Sequence, residues 1–275
     1  MRDHGPAYRA VASDLDGTLL RSDGSLSDRT IAAVERVGAL GIEVVLVTSR
    51  PPRWVGDIAR ALRCHPLVIC SNGGLIYDTA AGRVVSEHPI PQSAALEIVV
   101  RLRALLADVA IAVESSLGTG FEPHYHGTWT VPGDALVADA VRLLELPACK
   151  LCVRHGERGE HWEIVERVRE AVGDLGEVTS SGPDAPIEVA ARGVTKALAL
   201  EILAERVHVG SHEVLAFGDM PNDLPMLRWA GRSIAPANAH SDVLTVVDEV
   251  TADCDHDGVA MVLEDLVRQA TSEQR

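Results

Sequence analysis

The sequence predicts an α/β fold: an open parallel sheet whose chain is interrupted by an inserted α+β module. Three observations carry this. Short apolar runs alternate with helical segments at the start of the chain, a different texture fills residues 84–183, and the alternation then resumes. Strand-helix alternation places strands side by side through right-handed crossovers, which makes the sheet parallel.

Taken in order, residues 8–13 form an apolar strand and residues 27–40 a helix. Gly41 separates that helix from the strand Ile42-Glu43-Val44-Val45-Leu46-Val47. Pro51 and Pro52 prepare a second helix over 54–62, and Pro66-Leu67-Val68-Ile69-Cys70 is a third buried strand. It ends at Ser71-Asn72-Gly73-Gly74, a turn by composition. Inside the module, amphipathic helices at 93–106 and 161–172 interleave with strands near 110–114, 149–154 and 176–180. Beyond it, Ile187-Glu188-Val189-Ala190, a helix over 195–205, Val214-Leu215-Ala216-Phe217 and a helix near Asn222 restore the first rhythm. The expected division is a discontinuous core, 1–83 with 184–275, and a module over 84–183. A length of 275 residues agrees with two domains at roughly 150 residues each.

Bulk properties narrow the function. With 47% hydrophobic and 24% charged residues the chain folds. No apolar run approaches the ~20 residues that span a bilayer, so a soluble, cytoplasmic protein without a membrane partner is expected. Forty Asp and Glu against 25 Lys and Arg give a net charge of -15 without a basic run, which disfavours nucleic acid. An acidic protein that handles an anion needs positive charge concentrated at its site, from a metal, a lysine or helix N-termini. Five cysteines do not describe a disulfide framework. Cys149 and Cys152 form one C-x-x-C and His124 and His126 one H-x-H, but a single C-x-x-C is only a fragment of a zinc pattern. The plainer reading is a strand, in which residues three apart face opposite sides.

The chemistry lies at strand ends. Asp14 and Asp16 follow Ala10-Val11-Ala12, and Asp219 and Asp223 follow Val214-Leu215-Ala216-Phe217. The carboxyl ends of parallel strands are where open sheets bind ligands, so two such strands bring four carboxylates together. Carboxylates so close repel unless a cation sits among them, and hard oxygen donors with room for water and phosphate suit magnesium. Alone, Asp14-Leu15-Asp16-Gly17 is equally a strand-terminating turn. Its partners argue for a site. Thr48 follows Val44-Val45-Leu46-Val47 and offers a hydroxyl beside backbone amides, and Lys196 opens a late helix, where a lysine is otherwise a solvated charge.

In this order the residues resemble the haloacid dehalogenase (HAD) superfamily of phosphohydrolases, and its Cof-type sugar-phosphatase branch in particular. The matching segments are Asp14-Leu15-Asp16-Gly17-Thr18-Leu19, Thr48 in Val47-Thr48-Ser49-Arg50, Lys196 in Gly193-Val194-Thr195-Lys196, and Gly218-Asp219-Met220-Pro221-Asn222-Asp223. Ser71-Asn72-Gly73-Gly74, Asn238-Ala239 and Asp257-Gly258-Val259-Ala260 are similar to that branch too. The resemblance implies a Rossmann-like three-layer core with a large cap inserted between the second and third motifs. It implies that Asp14 is the nucleophile, that Asp16 is acid and then base, and that Mg2+ is held by Asp14, the Asp16 carbonyl and Asp219, with Asp223 behind them. It further implies that Lys196, Thr48, Asn222 and the amides of Leu15 and Ser49 hold the phosphate. Two departures stand out: Ser49 where the branch usually has glycine, and Pro236 where methionine is more usual.

By the same resemblance the cap closes over the leaving group and selects it. Phe121-Glu122-Pro123-His124-Tyr125-His126-Gly127-Thr128-Trp129 gathers polar and aromatic groups in a chain only 3% aromatic. It reads either as a sugar-binding segment through His124 and His126 or as a hairpin whose aromatics pack locally. Arg50, Arg53, Asn72 and Gly73 are further substrate candidates. The expected function is hydrolysis of small phosphorylated metabolites such as sugar phosphates through an aspartyl-phosphate, by a monomer or homodimer. The alternatives are a phosphotransferase or phosphomutase, a mannosyl-phosphoglycerate-type phosphatase suggested by Thr48-Ser49, and a non-catalytic phosphometabolite sensor.

Overall fold

The computed structural model describes residues 8–125 and 132–273. The chain forms two compact units: one runs up to Val85 and resumes at Lys196, and the other is Ser86–Thr195. Along the chain the first unit begins with β1 (Ala10–Asp14), α1 (Asp28–Ala39), β2 (Glu43–Val47), α2 (Gly56–Leu62), β3 (Leu67–Cys70), β4 (Leu75–Asp78) and β5 (Arg83–Glu87). The second contains α3 (Gln92–Leu105), β6 (Ala110–Ser115), β7 (Gly118–Phe121), β8 (Leu136–Val137), α4 (Ala140–Leu143), β9 (Lys150–Arg154), α5 (His161–Val172), β10 (Gly176–Thr179) and β11 (Ile187–Ala191). The first then continues with α6 (Lys196–Arg206), β12 (Val214–Phe217), α7 (Leu224–Trp229), β13 (Arg232–Pro236), α8 (Ser241–Leu244), β14 (Glu249–Thr251) and α9 (Gly258–Glu273).

The sheet of the first unit runs β14-β13-β12-β1-β2-β3-β4-β5. It is parallel from β14 through β3, and β4 turns back antiparallel on β3. Every residue of β1 is buried, as expected of a central strand covered on both faces. Ala12, Val45, Val47, Ile69, Leu200, Leu203 and Ala216 share one core cluster. Each fully buried Leu or Ile there contributes roughly 1.5–3 kcal/mol. Helix α1 starts where its sequence dictates: the Ser27 side chain accepts from the Thr30 amide at 3.0 Å, and Asp28 and Arg36 complement the dipole at opposite ends. At the second expected helix, Pro52–Trp54 form a 3-10 turn before α2 opens at Gly56.

The second unit's sheet runs β10-β11-β9-β6-β7-β8. Here the sequence reading is corrected. Ile187-Glu188-Val189-Ala190 was expected to resume the parallel core, but β11 pairs antiparallel with both β9 and β10. The first unit therefore resumes at Lys196. The physical reason is Glu188: it is buried and accepts a hydrogen bond from the equally buried ammonium of Lys150 on β9, a partner that no local pattern reveals. Glu114 lies opposite Lys150 across the β6–β9 pair and accepts from the Thr119 hydroxyl at 3.1 Å. Cys149 precedes β9, and both it and Cys152 are buried and outside any disulfide. Among the described residues no helix is long and apolar enough to cross a membrane.

Candidate active site

Strand register brings the predicted residues to one edge. Ser13 lies opposite Phe217 and Asp14 opposite Val47, so Thr48 and Gly218 leave their strands level with Asp14. Asp14, Asp219 and Asp223 are buried, and each offers a carboxylate oxygen within 4.8 Å of the others. Lys196, also buried, reaches in from the start of α6. Its Nζ donates to Asp14 Oδ1 at 2.5 Å and to Asp223 Oδ1 at 2.6 Å.

Each group is held from behind. The other oxygen of Asp223 accepts from the amides of Asp219 (3.2 Å) and Met220 (3.0 Å). With both oxygens engaged, Asp223 serves to fix Lys196 and the Gly218–Met220 turn. Asp219 Oδ1 accepts from the Thr18 hydroxyl at 2.8 Å. Its Oδ2 faces Gly17, where φ is +77° and an added Cβ would lie 2.5 Å from that oxygen. Only glycine satisfies both the turn and that close approach. A Cβ on Gly218 would similarly meet Asp223 Cβ at 2.6 Å.

The electrostatics show what this arrangement lacks. Burial, outweighing the pull of Lys196 and reinforced by Asp223 and Asp219, pushes the Asp14 carboxyl upward. Burial and then Asp223 push Asp219 up to about 7. For Lys196, burial acts downward but Asp14 and Asp223 outweigh it, so its ammonium stays charged. Three carboxylates thus share one ammonium, and their surplus charge together with the Gly17-shaped space beside Asp219 Oδ2 fits a divalent cation with hard oxygen ligands.

This surplus predicts a pH effect on the metal-free protein. A carboxyl whose folded pKa lies above its unfolded value stabilises the fold fully below the unfolded pKa, 3.8, and loses that contribution as the pH rises toward about 7. Relative to Asp219→Asn, the metal-free protein is expected to lose on the order of 2–3 kcal/mol between about pH 5 and about pH 7. Magnesium should restore it more at the upper pH, because binding displaces the proton. Thermal melts of both proteins with and without magnesium check this.

The phosphate candidates lie around the same edge. Thr48 is fully buried, and its Oγ1 accepts from the Arg50 amide at 3.0 Å, which leaves the hydroxyl proton to donate. Leu15 is buried directly after Asp14. Ser49 does not have positive φ, so its backbone does not require glycine and a serine fits there. Asn222 Nδ2 donates to Asn72 Oδ1 at 3.2 Å, while Asn222 Oδ1 is buried without a hydrogen-bond partner. Ser71, Asn72 and Gly73 have φ of 53°, 57° and 102°, a left-handed run that only a stabilised surrounding sustains. The Asn72 amide donates to the Thr48 carbonyl at 3.1 Å, so this turn braces the Thr48 loop.

Other candidates fall elsewhere. Arg50, one of the substrate candidates, forks its guanidinium onto Asp16, with Nε 2.8 Å from Oδ2 and the second nitrogen on Oδ1. His124 is exposed in the turn in which the Tyr125 amide donates to the Glu122 carbonyl at 2.9 Å. His126 lies outside the described residues. Phe121 and Tyr125 pack edge to face at 5.4 Å, as the local-packing reading expects. Asn238 was noted only as part of a resemblance. Its Nδ2 donates to the Gly17 carbonyl at 2.8 Å and its Oδ1 accepts from the Cys254 amide at 2.9 Å, which pins the Asp16-Gly17 turn to the 3-10 turn Cys254–His256.

Buried carboxylates and one lysine gather at the carboxyl ends of the parallel strands of a Rossmann-like core, where open sheets bind ligands, and the carboxylates could hold a metal ion. A family model described as haloacid dehalogenase-like hydrolase matches residues 11–263, and the chain belongs to that family. It is 26% identical over 272 residues to the 5-amino-6-(5-phospho-D-ribitylamino)uracil phosphatase YitU of Bacillus subtilis, covering 93% of this chain and 96% of that one. It is 27% identical over 271 residues to the pyridoxal phosphate phosphatase YbhA of Escherichia coli, covering 93% and 97%. A solved phosphatase of the HAD superfamily from Bacteroides thetaiotaomicron superposes with a TM-score of 0.78 at 26% identity, covering 97% of each chain.

Proposed function

We propose that this protein is a magnesium-dependent phosphatase of small phosphorylated metabolites, sugar phosphates or similar monoesters, working through an aspartyl-phosphate. The observation that carries the reading is Lys196 Nζ bridging Asp14 and Asp223 in a buried carboxylate cluster. An anionic nucleophile meets an anionic phosphate only where positive charge is already in place. Asp14, Asp219 and the Asp16 carbonyl would hold magnesium, which when bound supplies the charge that lets carboxylate and phosphate approach.

The chain's own residues account for the remaining work. An Asp14 carboxylate oxygen attacks phosphorus as the bond to the leaving oxygen breaks, and Asp16 donates a proton to that oxygen. Asp16 then takes a proton from water, whose oxygen attacks phosphorus and frees Asp14. Lys196, the Thr48 hydroxyl, the Asn222 side chain and the amides of Leu15 and Ser49 would orient the phosphate oxygens. Discrimination among leaving groups is assigned to the inserted unit, whose sheet carries the buried polar row of Glu114, Lys150 and Glu188. The names of the two curated relatives, each specifying a ring-bearing phosphate monoester, agree with that substrate class.

The test is phosphate release from a panel of sugar phosphates, pyridoxal phosphate and nucleoside monophosphates. Release is expected with magnesium and is expected to stop on chelation. No release from any member with magnesium present would overturn the reading.

A further inference from the structure

Arg50 is anchored at both sides of its backbone. Its amide donates to Thr48 Oγ1 at 3.0 Å, and its carbonyl accepts from the Ser71 amide at 3.0 Å. The side chain leaves this fixed point and meets Asp16 through two parallel hydrogen bonds, one to each carboxylate oxygen. Such a fork fixes the plane and direction of a carboxylate, not merely its distance. The pair is substantially exposed, with side-chain accessibilities of 26% for Arg50 and 51% for Asp16, so it contributes little to folding. It is also distinct from the Lys196 cluster, whose carboxylates are all buried.

We propose that Arg50 is the positioning residue for Asp16, holding it in direction for proton delivery to the leaving oxygen. This rests on the phosphatase reading, in which Asp16 is the acid. Because the fork is anchored at a fixed backbone point, it keeps the Asp16 carboxyl aimed in one direction. As the Asp14–phosphorus bond forms and the phosphorus–oxygen bond breaks, the proton passes from Asp16 to the departing oxygen. Arg50 acts only through Asp16 and transfers no proton of its own.

Leaving groups distinguish this role from phosphate binding and from simple structural support. An alkyl phosphate needs the proton to depart, whereas p-nitrophenolate leaves without one. The readout is kcat/KM, which covers binding through leaving-group departure and omits the later hydrolysis of the aspartyl-phosphate. For Arg50→Ala, kcat/KM on an alkyl phosphate is expected to fall about 10- to 100-fold, part of what general acid catalysis supplies, with under about threefold loss on p-nitrophenyl phosphate. Arg50→Lys, which keeps the charge without the fork, should show the same skew at smaller amplitude. Adding Arg50→Ala to Asp16→Asn should cost nothing further on the alkyl substrate. Equal losses on both substrates would place Arg50 on the transferring phosphate and overturn the inference alone, as would no loss on either. A wild-type protein inactive on p-nitrophenyl phosphate and on every member of the metabolite panel overturns the phosphatase reading and this inference with it.

Discussion

Asp14→Asn is expected to lower phosphate release by about 10⁴-fold or more, because no other group replaces a removed nucleophile. The amide is nearly isosteric, so the fold is retained. Stability should rise or hold, since the substitution removes one of the carboxylates that crowd Lys196 and Asp219. The combination separates chemistry from architecture: a colorimetric phosphate assay reads the first and a thermal melt the second. A variant that keeps activity within tenfold of wild type, a barrier change of no more than ~1.4 kcal/mol, would remove Asp14 from the reaction.

Lys196→Met carries the second large effect, and it reaches both folding and catalysis. Lys196 is 2% exposed and donates to Asp14 and Asp223, so its loss leaves two buried carboxylates without their ammonium. Removing one partner from a buried ion pair costs about 3–5 kcal/mol. The cost has a predictable pH dependence. Without the ammonium, Asp14 can relieve the repulsion only by taking a proton, so the destabilisation should be smaller near pH ~5 than near pH ~8. Urea unfolding at the two pH values measures this. Where the variant remains folded, kcat should fall by about 10²- to 10³-fold, the usual effect of removing one group that stabilises developing charge.

Much of the first unit was legible because its elements obey local rules. The apolar run before Asp14 forms β1, Ser27 caps α1 and Val214–Phe217 is β12; in the second unit α5 likewise spans the expected His161–Val172. The hairpin strand β4, the edge strand β5 and the strands β13 and β14 were not read as strands, since β4 and β14 are very short and in β5 and β13 charged residues or a proline interrupt the apolar run. The placement of β11 was misread for a different reason. An apolar run with one glutamate fits either sheet, and the choice rests on Lys150, 38 residues earlier.

By itself the sequence determined which residue types stand at the ends of which strands, because a strand is specified by neighbours within a few positions and its terminus follows. That was enough to collect Asp14, Thr48, Lys196, Asp219 and Asp223 as one candidate set. Tertiary structure alone decided what each touches. Lys196 reaches Asp14 across 182 positions, Thr18 reaches Asp219 across 201, and Arg50 forks onto Asp16 across 34. Hydrogen bonds and charge pairs depend on distances of a few ångströms, and the sheet's parallel register, not the chain's local periodicity, sets those distances.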